Sequence, residues 1–112
     1  MITRPIAAII GVGAAAPSRV VTNADLEKTL DTSDAWITER TGIRQRHIAE
    51  RFETLTSYSL VAAQQALAMA GLTAADLDGI VFATVSPDHR LPSAACDLQA
   101  ALGIEGCWAV DV

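Results

Sequence analysis

The stretch that decides the fold is IVFATVSPDHRLPSAACDLQAALGIEGCWAVDV, residues 80–112. It opens on Ile80–Val85, a short apolar run rich in β-branched residues and without alternation, which is the pattern of a strand buried on both faces. It closes on Trp108–Val112, a second run of the same kind. Between them, Ser93 stands as an N-cap, a helix follows through Leu102, and Gly103 ends it. Strand, helix and strand in this order predict two parallel strands joined by a crossover helix, hence an α/β fold.

Working outward from this unit, a longer helix is expected over Thr56–Ala70, stopped by Gly71. Its face Leu60, Ala63, Leu67 and Ala70 has the spacing of an inward-facing stripe. Thr73 caps a short helical turn through Leu77. Further upstream, Thr32-Ser33-Asp34 opens a short helix that carries Trp36, Ile37 and Arg40, and Gly42 closes it. Asn23 reads as the N-cap of another helix, with Leu26 and Leu30 four apart on one face. Ile43–Ile48 is charged and β-compatible, which suits a surface strand. Ile6–Val12 reads as a third buried strand, so the expected strands are Ile6–Val12, Ile80–Val85 and Trp108–Val112.

The N-terminus needs one distinction. Arg4 precedes the apolar run Ile6–Ala16, and Ala14-Ala15-Ala16 has the small residues of a signal-peptidase site. Gly11 and Gly13 interrupt the run, however, and a single positive charge precedes it, so the segment reads as a strand entering a glycine turn. Gly11-Val12-Gly13-Ala14-Ala15-Ala16 also matches GxGxxA. That motif binds a pyrophosphate only where a helix begins at once, and Pro17-Ser18 prevents that. The other terminus falls on the last residue of an apolar strand, where loops and chemistry begin in parallel α/β folds. The chain therefore reads as part of a longer or divided protein.

Composition narrows the classes. Of 112 residues, 51% are apolar and 19% charged, which suits a soluble globular protein, and 4% are aromatic, so the core must be aliphatic and alanine-rich. A net charge of −5 argues against binding bulk nucleic acid, which needs a broad basic surface. No apolar stretch is long enough to span a membrane. Two cysteines, Cys96 and Cys107, have neither metal-type spacing nor a disulfide framework and fit a reducing cytoplasm. Cys96 falls in the first turn of a capped helix, where a thiolate is favoured, but no base is visible near it. His47 and His89 show no local partner that would orient a base.

The positive charge is concentrated: Arg40, Arg44, Arg46, His47 and Arg51 fall within twelve residues. Such a cluster is either a solvated face or a site for a phosphorylated small molecule. Trp36 and Arg40 lie four apart and so are neighbours on one helix face. An indole beside a guanidinium can hold a flat, electron-rich ring such as adenine, and Thr32 at the helix start can add a hydrogen bond. The competing reading makes Trp36 a core anchor, and residue chemistry alone leaves both open.

Longer motifs carry a resemblance. Thr22–Lys28 (TNADLEK), Asp31–Ile37 (DTSDAWI), Glu39–Arg44 (ERTGIR), Pro92–Cys96 (PSAAC) and Ala109–Val112 (AVDV) closely resemble, in order and spacing, the β-ketoacyl-acyl-carrier-protein synthase III family of condensing enzymes. The resemblance covers essentially the whole chain. It implies a thiolase-like fold of two similar α/β halves, with residues 1–112 as the N-terminal part of the first half and the second half absent. It implies an acyltransferase of fatty acid synthesis that condenses an acyl-CoA primer with malonyl-acyl carrier protein. Coenzyme A enters as a thioester substrate, and neither a separate cofactor nor a metal is expected.

Carried over residue by residue, Trp36 and Arg40 match the pair that sandwiches the CoA adenine. Thr32 matches a threonine on the same base. Leu91 matches a position, often Phe, that closes the partner's acyl pocket across a homodimer. The family's nucleophilic Cys is expected just beyond Val112, and its His and Asn in the missing half. The chain thus holds no catalytic residue and is expected to be inactive without the remainder of the protein. Two alternatives stand beside this reading: a specialised synthase III-like enzyme of secondary metabolism, and a non-catalytic CoA-binding or dimerising fragment.

Overall fold

The computed structural model describes residues 7–112, and these divide into two compact units. One is Ala16–Glu53. The other is Thr54–Val112 together with the N-terminal stretch up to Ala15.

The smaller unit holds β1 (Val20–Thr22), α1 (Asn23–Glu27), α2 (Asp34–Thr41) and β2 (Gln45–His47). β1 and β2 pair antiparallel, with Val20 opposite His47 and Thr22 opposite Gln45. The cap of α1 is Thr22, not Asn23. Thr22 and Asp25 form a reciprocal capping box in which Asp25 Oδ2 accepts from both the backbone N–H and the hydroxyl of Thr22. Lys28 and these Thr22 donors hold the Asp25 carboxyl well below the usual carboxylate range. Leu30 lies beyond the end of α1 rather than on its face. α2 follows the sequence expectation: the Ser33 Oγ accepts from the Trp36 N–H at 3.1 Å, and Gly42 closes the helix at φ 72°, where a side chain would be strained.

The larger unit is organised on the crossover read from residues 80–112. β3 (Gly79–Phe82) and β4 (Trp108–Asp111) are parallel, with Ile80 opposite Ala109, and α4 (Ala94–Ala101) connects them. The strand at Ile80 stops at Phe82, earlier than the apolar run predicts, and Val85 is fully exposed. α3 (Leu55–Ala70) ends at Gly71, and a single 3₁₀ turn spans Ala74–Asp76. Ile80, Ala95, Leu98 and Cys107 form the buried cluster, and Leu60, Ala63 and Ala109 pack against it. Apolar neighbours on both flanking elements exclude water from this cluster, which is the main stabilising term of the unit.

The larger correction concerns Ile6–Val12. Ile6 lies outside the described residues, and Ala7–Val12 form no strand and are not buried; Ile9 and Val12 are largely exposed. The physical reason lies in α3. A Cβ on Gly11 would collide with the backbone carbonyl of Ala66, and one on Gly13 with that of Ala62. The glycines thus let this segment lie directly on the helix backbone. Its N–H groups go to helix side chains rather than to a ladder: Val12 to the Met69 sulfur at 3.4 Å and Ala14 to Gln65 Oε1 at 3.1 Å. GxG here is a close-approach device between chain and helix.

Among the described residues, no helix is long and apolar enough to cross a membrane.

Candidate functional site

The site is built around the start of α2. Leu26, Leu30, Asp31, Thr32, Ser33, Trp36 and Ile37 line a cleft of about 630 Å³. Ile37 is buried and anchors the helix, while Trp36 is 54% exposed. Trp36 is therefore not the core anchor of its helix; Ile37 is. The Thr32 hydroxyl is buried and has no hydrogen-bond partner. Buried hydroxyls are almost always paired, and this unpaired one belongs to a residue that lines the cleft.

Arg40 lies over the Trp36 ring, its guanidinium carbon 4.8 Å from the centroid. The two side chains meet as their spacing predicts. They are in contact, however, so a flat ring held between them must lift Arg40 off the indole. An exposed cation–π contact is worth about 0.5–1 kcal/mol, whereas stacking a base on an aromatic ring gains about 1–3 kcal/mol. The exchange therefore favours the ring.

The basic cluster separates into different roles. Arg46 is structural: it donates to Asn23 Oδ1 at 2.7 Å and to the Val21 carbonyl at 3.3 Å. His47 Nδ1 meets the Pro17 carbonyl. Arg44 and Arg51 are exposed, and Arg40 rests on Trp36. Both histidines have partners that their sequence neighbourhoods hide. His89 Nε2 lies 2.9 Å from Asp97 Oδ2, eight residues further along the chain.

In the larger unit, Leu91 is almost fully exposed and precedes a cis proline, Pro92. Cys96 is a free, half-buried thiol in the first turn of α4, and Cys107 is free and buried. Two carboxylates hold helix starts. Asp111, at the end of β4, accepts from the Ala94 N–H at 2.9 Å and the Ala95 N–H at 2.8 Å. Asp88 accepts from the N–H groups of Leu55 and Thr56 and from the Thr56 hydroxyl. Burial pushes the Asp88 carboxyl up, but the Thr56 and Leu55 donors outweigh it and leave its pKa below the usual value. Among the described residues, no group of three His, Cys, Asp or Glu could hold a metal ion.

Sequence reasoning missed Asn23, Asp34 and Thr38, which form one hydrogen-bonded group beneath α2. A signal was present. Thr22 with Asp25 three residues on is itself a capping pair, which releases Asn23 from the capping role.

The parallel β3–α4–β4 unit makes this an α/β protein, and the solved structures it resembles give the fold as thiolase-like. The chain is 54% identical over 104 residues to the β-ketoacyl-[acyl-carrier-protein] synthase III of Escherichia coli (strain HS) and 53% identical to synthase III 1 of Vibrio cholerae; each match covers 93% of this chain and 33% of the relative. Among solved structures, the 3-oxoacyl-[acyl-carrier-protein] synthase III of Aquifex aeolicus superposes with a TM-score of 0.87 at 50% identity, covering 93% of this chain and 33% of that one. The Thermus thermophilus synthase III gives a TM-score of 0.83 at 37% identity, covering 95% and 33%. No family model matches the chain. The chain spans about a third of the length of the relatives it matches, and over that third it is similar to proteins named β-ketoacyl-[acyl-carrier-protein] synthase III.

Proposed function

We propose that this chain supplies the nucleotide-binding surface of a 3-oxoacyl-acyl-carrier-protein synthase III that works in the cytoplasm on an acyl-CoA primer and malonyl-acyl carrier protein. The observation that carries this reading is the cleft before α2, where an exposed indole stands beside a buried, unpartnered Thr32 hydroxyl. Trp36 offers a stacking face for adenine, Thr32 a hydrogen bond to the base edge, and Arg40 a cation over the ring. Adenine is remote from the reacting thioester, so these residues bind and orient the substrate while the chemistry occurs elsewhere.

In the proposed reaction, a cysteine thiolate outside this chain attacks the acyl thioester and releases CoA as the thiol. Malonyl-acyl carrier protein then loses CO₂. The resulting carbanion attacks the acyl-cysteine thioester, forming the new C–C bond and returning the thiolate. The nucleophile in this reading follows β4, whose end Asp111 ties to the start of α4. In this reading Leu91 belongs to the acyl pocket of a second copy in a homodimer. Its aliphatic side chain leaves more depth than a Phe ring, which favours longer or branched primers at about 0.8 kcal/mol per buried CH₂.

The cleft is tested by fluorescence in the protein that carries this chain. Trp108 is the other tryptophan of the chain, so a Trp108→Phe background isolates Trp36 within it. Any tryptophan outside the chain is controlled by the same titration in Trp36→Phe. Saturable quenching by CoA but not by 4′-phosphopantetheine, absent in Trp36→Phe, is expected. Equal quenching by both compounds contradicts the adenine assignment.

A further inference from the structure

Asn23 is the most deeply buried large side chain among the described residues, with 1% of its surface exposed. Both ends of its amide are held by partners. Nδ2 donates to Asp34 Oδ1 at 2.7 Å, to the Ile43 carbonyl at 2.8 Å and, at 3.3 Å, to the Thr38 hydroxyl. Oδ1 accepts from Arg46 at 2.7 Å. The partners dictate this orientation, because a carboxylate and a carbonyl only accept and a guanidinium only donates. The Asn23 backbone N–H adds a bond to the Arg44 carbonyl at 3.2 Å. One side chain thus joins the start of α1, the first turns of α2, the loop after α2, and β2.

The helical geometry gives this hub a consequence. Asp34 and Thr38 are four apart and share one face of α2. Trp36 and Arg40 are also four apart, each two residues further on, which places them about 200° around the helix at 100° per residue. Asn23 therefore grips α2 from the side opposite the Trp36–Arg40 pair. The same helix start carries Thr32 and Ser33 into the cleft. A change at Asn23 frees α2 to roll or shift, which moves the indole while touching neither ligand nor cleft lining.

We propose that Asn23 is a positioning residue for nucleotide recognition: its amide, held between Asp34 and Arg46, fixes the rotation of α2 and so the placing of Trp36. This rests on the reading of the cleft as the CoA nucleotide site. Hydrogen bonds to charged partners are the strong ones, and misplacement of about 1 Å in a binding element costs up to about 100-fold in rate.

The test uses the whole protein that carries this chain and compares kcat/KM for acyl-CoA with that for acyl-phosphopantetheine, which lacks the nucleotide. Asn23→Asp keeps the acceptor for Arg46 but sets a carboxylate against Asp34. The acyl-CoA to acyl-phosphopantetheine ratio is expected to fall about tenfold, carried by KM rather than kcat. The double variant Asn23→Asp, Asp34→Asn exchanges donor and acceptor at that one contact, while the Ile43 carbonyl still faces a carboxylate, so the ratio is expected to recover in part. Asp34→Ala is a milder variant that leaves the Ile43 and Arg46 bonds in place, and it carries the test if Asn23→Asp does not fold; its ratio is expected to fall about threefold.

Trp36→Ala serves as the reference. If Trp36→Ala lowers the ratio while the Asn23 and Asp34 variants slow both thioesters equally, Asn23 is a general structural residue and the proposal is overturned. A double variant whose ratio is no higher than that of Asn23→Asp alone also overturns it. If Trp36→Ala leaves the ratio unchanged, the cleft reading falls first and the proposal with it.

Discussion

Trp36→Ala is expected to raise KM for acyl-CoA by about 5–150-fold in the protein that carries this chain, the equivalent of losing a stacking face worth about 1–3 kcal/mol. The effect should fall on KM because adenine contacts are made equally in the ground and transition states; removing such uniform binding leaves kcat nearly in place. The geometry supports a large effect. Trp36 lines the cleft with more than half of its surface exposed, and no other aromatic residue lines it. Arg40 rests on the ring and has no ion-pair partner among those found in the described residues, so losing the indole also frees the guanidinium. Arg40→Ala is expected to act in the same direction, most strongly at low ionic strength, where its charge is least screened. An unchanged KM for acyl-CoA in Trp36→Ala would remove the adenine assignment.

Asp111→Ala is expected to destabilise the protein by about 2–4 kcal/mol. Asp111 accepts from the backbone N–H groups of Ala94 and Ala95, both essentially buried, at the start of α4. Without the carboxylate, two buried donors at a helix N-terminus lose their partner, and the negative charge that complements the helix dipole disappears with it. Asp111→Asn keeps one acceptor oxygen but sets its NH₂ group against the other backbone N–H, and should lose at least half as much. The measurement is the shift in denaturant midpoint and slope for the three proteins. A loss below about 0.5 kcal/mol for Asp111→Ala, the range of an ordinary surface substitution, would show that the α4 start is held by something else.

Much of this fold was legible in the sequence because its signals are local. Ser33 and Ser93 cap helices with their own side chains, and Gly42, Gly71 and Gly103 adopt the positive φ that ends or follows them. The β3–α4–β4 crossover followed from two apolar runs and the cap between them. What could not be read depends on contacts distant in sequence. Ile6–Val12 has the composition of a buried strand, but composition does not show that Gly11 and Gly13 let the chain lie on α3. His89 reads as partnerless because its carboxylate, Asp97, belongs to the next helix.

The candidate site was partly legible for the same reason. Trp36 and Arg40 meet because they are four apart on one helix. Thr32 was singled out by resemblance, and only the structure shows its hydroxyl to be buried without a partner. The Asn23 hub was hidden, since its partners lie 11, 15, 20 and 23 residues away. No local pattern encodes such a group, and Asn in front of a helical stretch reads as a cap by default.

The proposal that this chain belongs to a condensing enzyme is tested most directly by decarboxylative condensation. The protein that carries the chain is supplied with carboxyl-labelled malonyl-acyl carrier protein, with or without acyl-CoA. The account predicts release of labelled CO₂ that depends on acyl-CoA, matched one for one by 3-oxoacyl-acyl carrier protein and free CoA. Saturable binding of CoA with no acyl transfer and no CO₂ release would contradict it and leave a nucleotide-binding module without condensing activity.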